Sequence, residues 1–216
     1  MGIDIIDIDN ISNKGENRNL NSKNLNSKNL DSKKQDSKNL DSKNLDSKNL
    51  DSKKIDSNKI IIRKAVETDI ELVLQLIKEH SVYQKAEDEV TATQELLTEW
   101  IIHRKIAEVL LEEYDGRTVG YVLFFYNFST FLGKPGIFME DIFVRKGERG
   151  KGFGKALIIK LANIAVERKC GRLDWACGNW NTPSIEFYMA MGADKLSHKT
   201  LYRLEGNHLI LLSKQE

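Results

Sequence analysis

Residues 19–58 of this 216-residue chain repeat every five positions, as NLNSK NLNSK NLDSK KQDSK NLDSK NLDSK NLDSK KIDSN, and that period decides where a fold is possible. On a helix the leucine of each unit advances by about 140° per repeat, and on a strand it changes face each time, so neither element gains an apolar side. A pentapeptide solenoid needs a small residue two places before its central apolar one. Lys23 precedes Leu25 and Lys28 precedes Leu30 in those places, and a buried ring of lysines is prohibitive. Asn, Asp and Ser compete with the backbone for hydrogen bonds besides. Residues 1–58 are therefore expected to be a disordered, low-complexity leader, with one domain over 59–216. The repeats carry nine Lys against six Asp, too little charge to tether nucleic acid. Residues 3–11, IDIIDIDNI, alternate apolar and acidic side chains, as a frayed terminus or a strand added to a partner's sheet edge would.

From Lys59 onward 22 basic and 22 acidic side chains balance, which suits one compact domain. The whole chain is 40% hydrophobic with net charge +1, enough for a good core and without a field for nucleic acid or an acidic membrane. No apolar run reaches about 18 residues, so no membrane span is expected. The first residues lack a secretory pattern, and Ile6 stands where myristoylation wants Ser or Thr. Two cysteines, Cys170 and Cys177, are too few for a zinc site and read as reduced thiols of a cytoplasmic protein.

Patterning predicts a strand at 60–64, a helix at 68–79 capped by Thr68, and a helix at 91–102. Strands follow at 106–113 and 118–127 around an Asp115-Gly116-Arg117 turn, then at 137–145. A helix at 152–168 ends at Cys170-Gly171; a strand at 172–177 and a helix at 183–191, stopped by Gly192, come next. The last prediction is a hairpin, 199–204 with 208–213, turning at EGN. Local pairing followed by alternation with helices is a mixed α/β sheet.

Between the 137–145 strand and the helix after it lies EDIFVRKGERGKGFGKAL, residues 140–157. A phosphate-binding P-loop requires G-x-x-x-x-G-K-[ST]. Here Ala156 follows Gly154-Lys155, and Arg149 replaces the earlier glycine. A dinucleotide fingerprint, G-x-G-x-x-G, counted from Gly150 puts Lys155 in place of its third glycine. Arg149, Gly152 and Gly154 instead satisfy [QR]-x-x-G-x-[GA]: a tight turn opening a helix, with outward N–H groups for a pyrophosphate and glycines that leave the approach clear. Taken alone, the same glycines also suit a solvated turn.

The stretch from MEDIFV through RGKGFGKA and NWNTPSIEFY to GA at Gly192-Ala193 resembles the core of a GCN5-related N-acetyltransferase (GNAT), and more narrowly the diamine (spermidine/spermine) N-acetyltransferase branch. The similarity runs over residues 60 to about 213, including IIRKAVETDI and LIKEHSVYQKAEDEV. It implies the GNAT fold, a mixed, mostly antiparallel central sheet with a splayed strand pair, flanked by helices. It also implies acetyl transfer from acetyl-CoA, as co-substrate and with no metal, to a primary amine within a ternary complex.

On that resemblance Glu140 binds the ammonium and relays its proton through water, since an amine near pKa 10.4 must lose its proton before attack. Tyr188 protonates the departing thiolate, or merely packs beside Phe187. Ile142, Phe143 and Val144 offer main-chain contacts to the pantetheine arm, with N–H groups for the oxyanion. Arg149, Gly150, Lys151, Gly152, Phe153, Gly154 and Lys155 cradle the pyrophosphate. Asn181, Thr182, Pro183 and Ser184, with Tyr188, touch the cofactor arm. Tyr83 and Gln84 line the amine site, and the acids Glu87, Asp88 and Glu89 either draw in a polycation or form a solvated charge run at a helix end. Trp180 reads as a core residue, and neither cysteine matches a nucleophile position.

Three departures bear on the substrate. Gln84 stands where relatives often carry an acid, Thr200 where an acid would grip a far ammonium, and Met189 and Ala190 where basic residues often approach CoA. A diamine or polyamine, a thialysine-like amine or lysine-like amino acid, and a protein or peptide amine all stay open, as does an acyl-CoA-binding module without catalysis. The resemblance also implies a homodimer.

Overall fold

The structure is a computed structural model that describes residues 55–215. The repeats up to residue 54 and the acidic-apolar start, expected to be a disordered leader, lie outside the described residues. A short turn at Ser57–Lys59, with the Asp56 carboxylate accepting the Asn58 N–H, leads into β1 (Ile60–Lys64). Then come α1 (Ile70–Gln84), α2 (Gln94–Leu97) widening into a π-helical turn at Thr98–His103, β2 (Glu108–Tyr114), β3 (Arg117–Ser129) and β4 (Lys134–Val144). The chain closes with α3 (Phe153–Glu167), β5 (Leu173–Trp175), α4 (Thr182–Ala190) and α5 (Gly206–Leu212).

One sheet runs in the order β1-β2-β3-β4-β5, antiparallel except for the parallel pair β4–β5. β2, β3 and β4 pair through short connections, whereas β1–β2 and β4–β5 are joined across helices. The β2–β3 turn has two residues, Asp115 and Gly116, both with positive φ (52° and 74°), a geometry that matches the strands' right-handed twist. Alternation then sorts the core into two layers. Leu110, Val122, Phe124, Ile137 and Met139 face α3, which buries Leu157, Ile158, Leu161 and Ile164. Val109, Leu111, Tyr121 and Phe143 face α1, which buries Val73 and Leu76.

The expected α/β class holds, and the differences lie at element ends and in the last segment of the chain. Thr68 does not cap α1. It sits in a single tight turn, Glu67–Asp69, and Asp69 precedes the helix, its carboxylate accepting the Val66 N–H at 2.8 Å and gripped by Arg63 at 2.6 and 2.9 Å. The helix runs on to Gln84, closed by Lys85 at φ 57°. α3 ends at Glu167 with Lys169 left-handed, before the expected Cys170-Gly171 stop. The hairpin at 199–213 is absent. Residues 199–205 take no regular structure, and the Leu-rich end forms the exposed helix α5. β5, three residues long, is a poor template for two further strands, an unsupported hairpin is marginal in water, and leucines favour helix.

Candidate active site

β4 and β5 pair only through Ile137–Leu173, Phe138–Asp174 and Met139–Trp175. Beyond Met139 the strands part, and Asp141–Val144 keep their β3 neighbours but, among the described residues, have no strand on the other side. At the parting point the ladder slips: Leu123 pairs with Asp141 and Phe124 with Met139, so Glu140 is an extra, bulged residue. The bulge changes side-chain parity. Met139 and Ile142 both reach the α3 layer, whereas Asp141 turns to the α1 face, where Tyr121 and Phe143 lie.

Glu140 is exposed as a residue, yet partial burial of its carboxyl pushes its pKa up. The Asp141 charge adds to the rise and Arg203 opposes it.

Below this gap the chain turns into α3. Gly150 and Gly152 hold φ of 76° and 96°, which side chains rarely adopt, and a Cβ on either would meet nothing within 4 Å. The first helical bond runs from the Ala156 N–H to the Gly152 carbonyl at 3.0 Å. The N–H groups of Phe153, Gly154 and Lys155 therefore have no partner within the helix. The turn is thus open, unobstructed and rich in donors, a fit for an anionic group. Arg149 bridges it to α1: its Nε donates to the Val144 carbonyl at 2.8 Å, and its guanidinium lies 4.1 Å from the Tyr83 ring centre. Lys151 pairs with Glu148 at 2.8 Å.

α4 begins at Asn181, whose side-chain oxygen accepts the Ser184 N–H at 3.4 Å and the Tyr83 hydroxyl at 3.0 Å. Thr182 and Pro183 are exposed on its first turn. The Tyr188 ring packs 5.1 Å from Trp175, the residue paired with Met139 at the edge of the gap, and 5.4 Å from Phe187. Burial raises the Tyr188 pKa, with smaller contributions from Cys177 and Tyr83, so its hydroxyl keeps its proton. Trp180, read from the sequence as core, is 59% exposed and lies against Tyr83 at 6.0 Å. Glu87, Asp88 and Glu89 form an exposed turn, and Thr200, Met189 and Ala190 are exposed as well. Both cysteines are free, and burial raises the pKa of Cys177.

Sequence reasoning missed the cluster behind Glu140. His80 is buried at a core-facing position of α1, one turn on from Leu76. Its Nδ1 lies 3.4 Å from both the Tyr121 hydroxyl and Asp141 Oδ1, and the Tyr121 hydroxyl donates to Asp141 Oδ2 at 3.2 Å. The Gln84 amide contacts His80 Nε2 at 2.7 Å. A histidine on an otherwise apolar helix stripe was the available signal.

A shallow depression of about 400 Å3 beside α2, lined by Gln94, Glu95, Thr98, Glu99 and His103, includes none of these residues. Among the described residues no cluster of His, Cys, Asp and Glu is arranged to hold a metal ion, and no helix is long and apolar enough to cross a membrane.

The chain matches the Acetyltransferase (GNAT) family over residues 73–193, a span that takes in the parted strand pair, the bulge at Glu140 and the glycine turn. It belongs to that family, whose members use acetyl-CoA as co-substrate, and it is an N-acetyltransferase. It is 34% identical to the thialysine N-epsilon-acetyltransferase of Bos taurus over 158 residues, covering 68% of this chain and 92% of that protein. Over 100 residues it is 44% identical to an L-ornithine N5-acetyltransferase of Arabidopsis thaliana, covering 46% and 44% of the two chains. Among solved structures, an integron cassette protein from the mobile metagenome of V. cholerae superposes with a TM-score of 0.61 at 28% identity, covering 73% of this chain and 99% of that one.

Proposed function

We propose that this enzyme moves the acetyl group of acetyl-CoA to a primary amine of a small diamine, polyamine or basic amino acid, by direct transfer in a ternary complex. The observation that carries this reading is the placement of Glu140, bulged out where β4 leaves β5, beside unpaired strand backbone and above the glycine turn. Similarity to enzymes named for thialysine and ornithine adds the basic amino acids to the substrate class.

Acetyl-CoA supplies the acetyl thioester. Its pyrophosphate is held by the open turn Arg149–Lys155, through the free N–H groups of α3 and the charges of Arg149 and Lys151, once these leave their internal partners. Backbone groups of Ile142, Phe143 and Val144 hold the pantetheine arm, and Asn181–Ser184 flank it from α4. Tyr83 and Gln84, on the last turn of α1, border the amine. Glu140 takes the ammonium's proton, directly or through water; its raised pKa makes it a better base than an ordinary carboxylate. Tyr188, protonated and partly buried at the gap's edge, donates to the leaving thiolate.

Residues 59–216 form the catalytic domain in this reading, and the repeats take no part in chemistry. We place the enzyme in the cytoplasm, in keeping with its free cysteines, and as a homodimer. The exposed apolar side chains Leu201, Tyr202 and Leu204 and the exposed α5 support self-association, which native mass spectrometry reads directly.

Steady-state assays with acetyl-CoA against putrescine, spermidine, thialysine, ornithine and lysine test the activity. Absence of CoA release with every one overturns the substrate class. Tyr188→Phe should lower kcat by about 10²-fold with acetyl-CoA binding near normal. Unchanged turnover removes its role as the acid.

A further inference from the structure

Gln84 borders the amine site, yet its amide is spent on a histidine. Its nitrogen lies 2.7 Å from His80 Nε2, and with the amide donating, that ring nitrogen is the acceptor. The ring proton then sits on Nδ1, which points at Asp141 Oδ1 and the Tyr121 oxygen, each 3.4 Å away. Tyr121, fully buried, donates its hydroxyl to the other Asp141 oxygen at 3.2 Å. One oxygen of the carboxylate thus takes the Tyr121 hydrogen bond from β3, and the other lies 3.4 Å from the His80 ring of α1. The ring itself is fixed by packing, 5.3 Å from Phe143 and edge-on to Tyr121 at 6.3 Å. Such a relay costs burial of a histidine and a tyrosine hydroxyl in an apolar layer, and it converges on the residue next to Glu140.

We propose that His80 and Tyr121 are positioning residues for the amine: they aim and hold the Asp141 carboxylate beside Glu140, so that an incoming ammonium meets two carboxylates, and Gln84 acts by fixing the His80 ring. This rests on the amine-acetyltransferase reading above. The bulge makes the arrangement possible, because without it Asp141 would share Met139's face in the α3 layer instead of reaching Tyr121. The proximity of the two acids is already felt, since the Asp141 charge contributes to the raised pKa of Glu140.

The test is steady-state kinetics of the full-length protein, with the amine that wild type turns over best, for His80→Leu, His80→Asn and Tyr121→Phe. Loss of the hydrogen bond to Asp141 in Tyr121→Phe, and of the ring contact to Asp141 and the Tyr121 hydroxyl in His80→Leu, should each raise the amine KM about tenfold. The acetyl-CoA KM should stay within about twofold, since neither residue touches the glycine turn. Asparagine places an amide N–H close to where Nδ1 stood, so His80→Asn should recover most of the amine KM. An amine KM unchanged in His80→Leu and Tyr121→Phe, KM values for both substrates rising together, or no rescue by asparagine overturns the proposal. Should His80→Leu fail to fold, Tyr121→Phe decides, because it removes a single hydroxyl and keeps the ring. Wild type that turns over no amine sinks the functional reading itself and takes this inference with it.

Discussion

Glu140 owes its chemistry to its neighbours. Burial of its carboxyl and the adjacent Asp141 charge raise its pKa, and Arg203 pulls the other way. A base works only when unprotonated, so kcat at saturating amine should rise with pH through that elevated pKa. Glu140→Gln should abolish this acidic limb and lower kcat about 10²-fold. Asp141→Asn removes a negative neighbour, which favours the ionised form of Glu140, and so should move the limb to lower pH while raising the amine KM. A limb that stays in place in Asp141→Asn would separate the two acids. Glu140 was legible because a family motif surrounds it. His80 was not, because its position on α1 reads as part of an apolar stripe until the sheet brings Asp141 against it.

The glycine turn is a property of an element junction. Gly152 precedes α3 at φ 96°, and a Cβ there meets open space. Gly152→Ala should therefore cost only backbone strain, about 1–2 kcal/mol, without a clash. Because the same methyl would stand where an anion approaches the free N–H groups, the acetyl-CoA KM should rise by more than the loss of thermal stability accounts for. Equal KM values in the two proteins would show that nothing binds against this turn. As far as α4, element identities followed local signals: the Asp115-Gly116 turn, the period-2 strands and Asn181 with Pro183 at the start of α4. Element ends did not. α1 continues past residue 79 because Tyr83 finds Asn181 and Arg149, partners distant in sequence. Glu79 likewise holds Arg145 at 2.8 and 2.9 Å, tying the helix to the strand that precedes the turn.

At the scale of the molecule, Glu112 makes the stability of the fold fall as pH rises through neutrality. It is fully buried in the sheet's α3 layer, neither carboxylate oxygen has a hydrogen-bond partner among the described residues, and burial pushes its pKa from 4.5 up to about 8. The folded protein therefore binds a proton that the unfolded chain has released between those values. Stability contributed by the protonated form is complete below pH 4.5 and declines as pH rises toward about 8. The slope is at most about 1.4 kcal/mol per pH unit for one group. Thermal melts from pH 5 to 9 should show wild type losing stability faster than Glu112→Gln, and parallel curves would place the proton elsewhere. Glu108, in the same strand, behaves oppositely: Lys64 and Arg168 pair with it and lower its pKa despite the burial that opposes them. Two glutamates four residues apart thus differ through partners that only the folded sheet supplies.

By itself, the sequence determined that the repeats have no periodic apolar face, that locally paired strands give way to alternation with helices, and that a glycine turn opens α3. Each of these depends on spacing along the chain. Tertiary structure alone decided that β4 and β5 part after Met139, that Glu140 bulges and turns Asp141 onto His80 and Tyr121, and that the last residues form a helix instead of a hairpin. Those outcomes depend on which strands pair and for how long, and pairing is settled between residues far apart in the chain, where no local period carries the information.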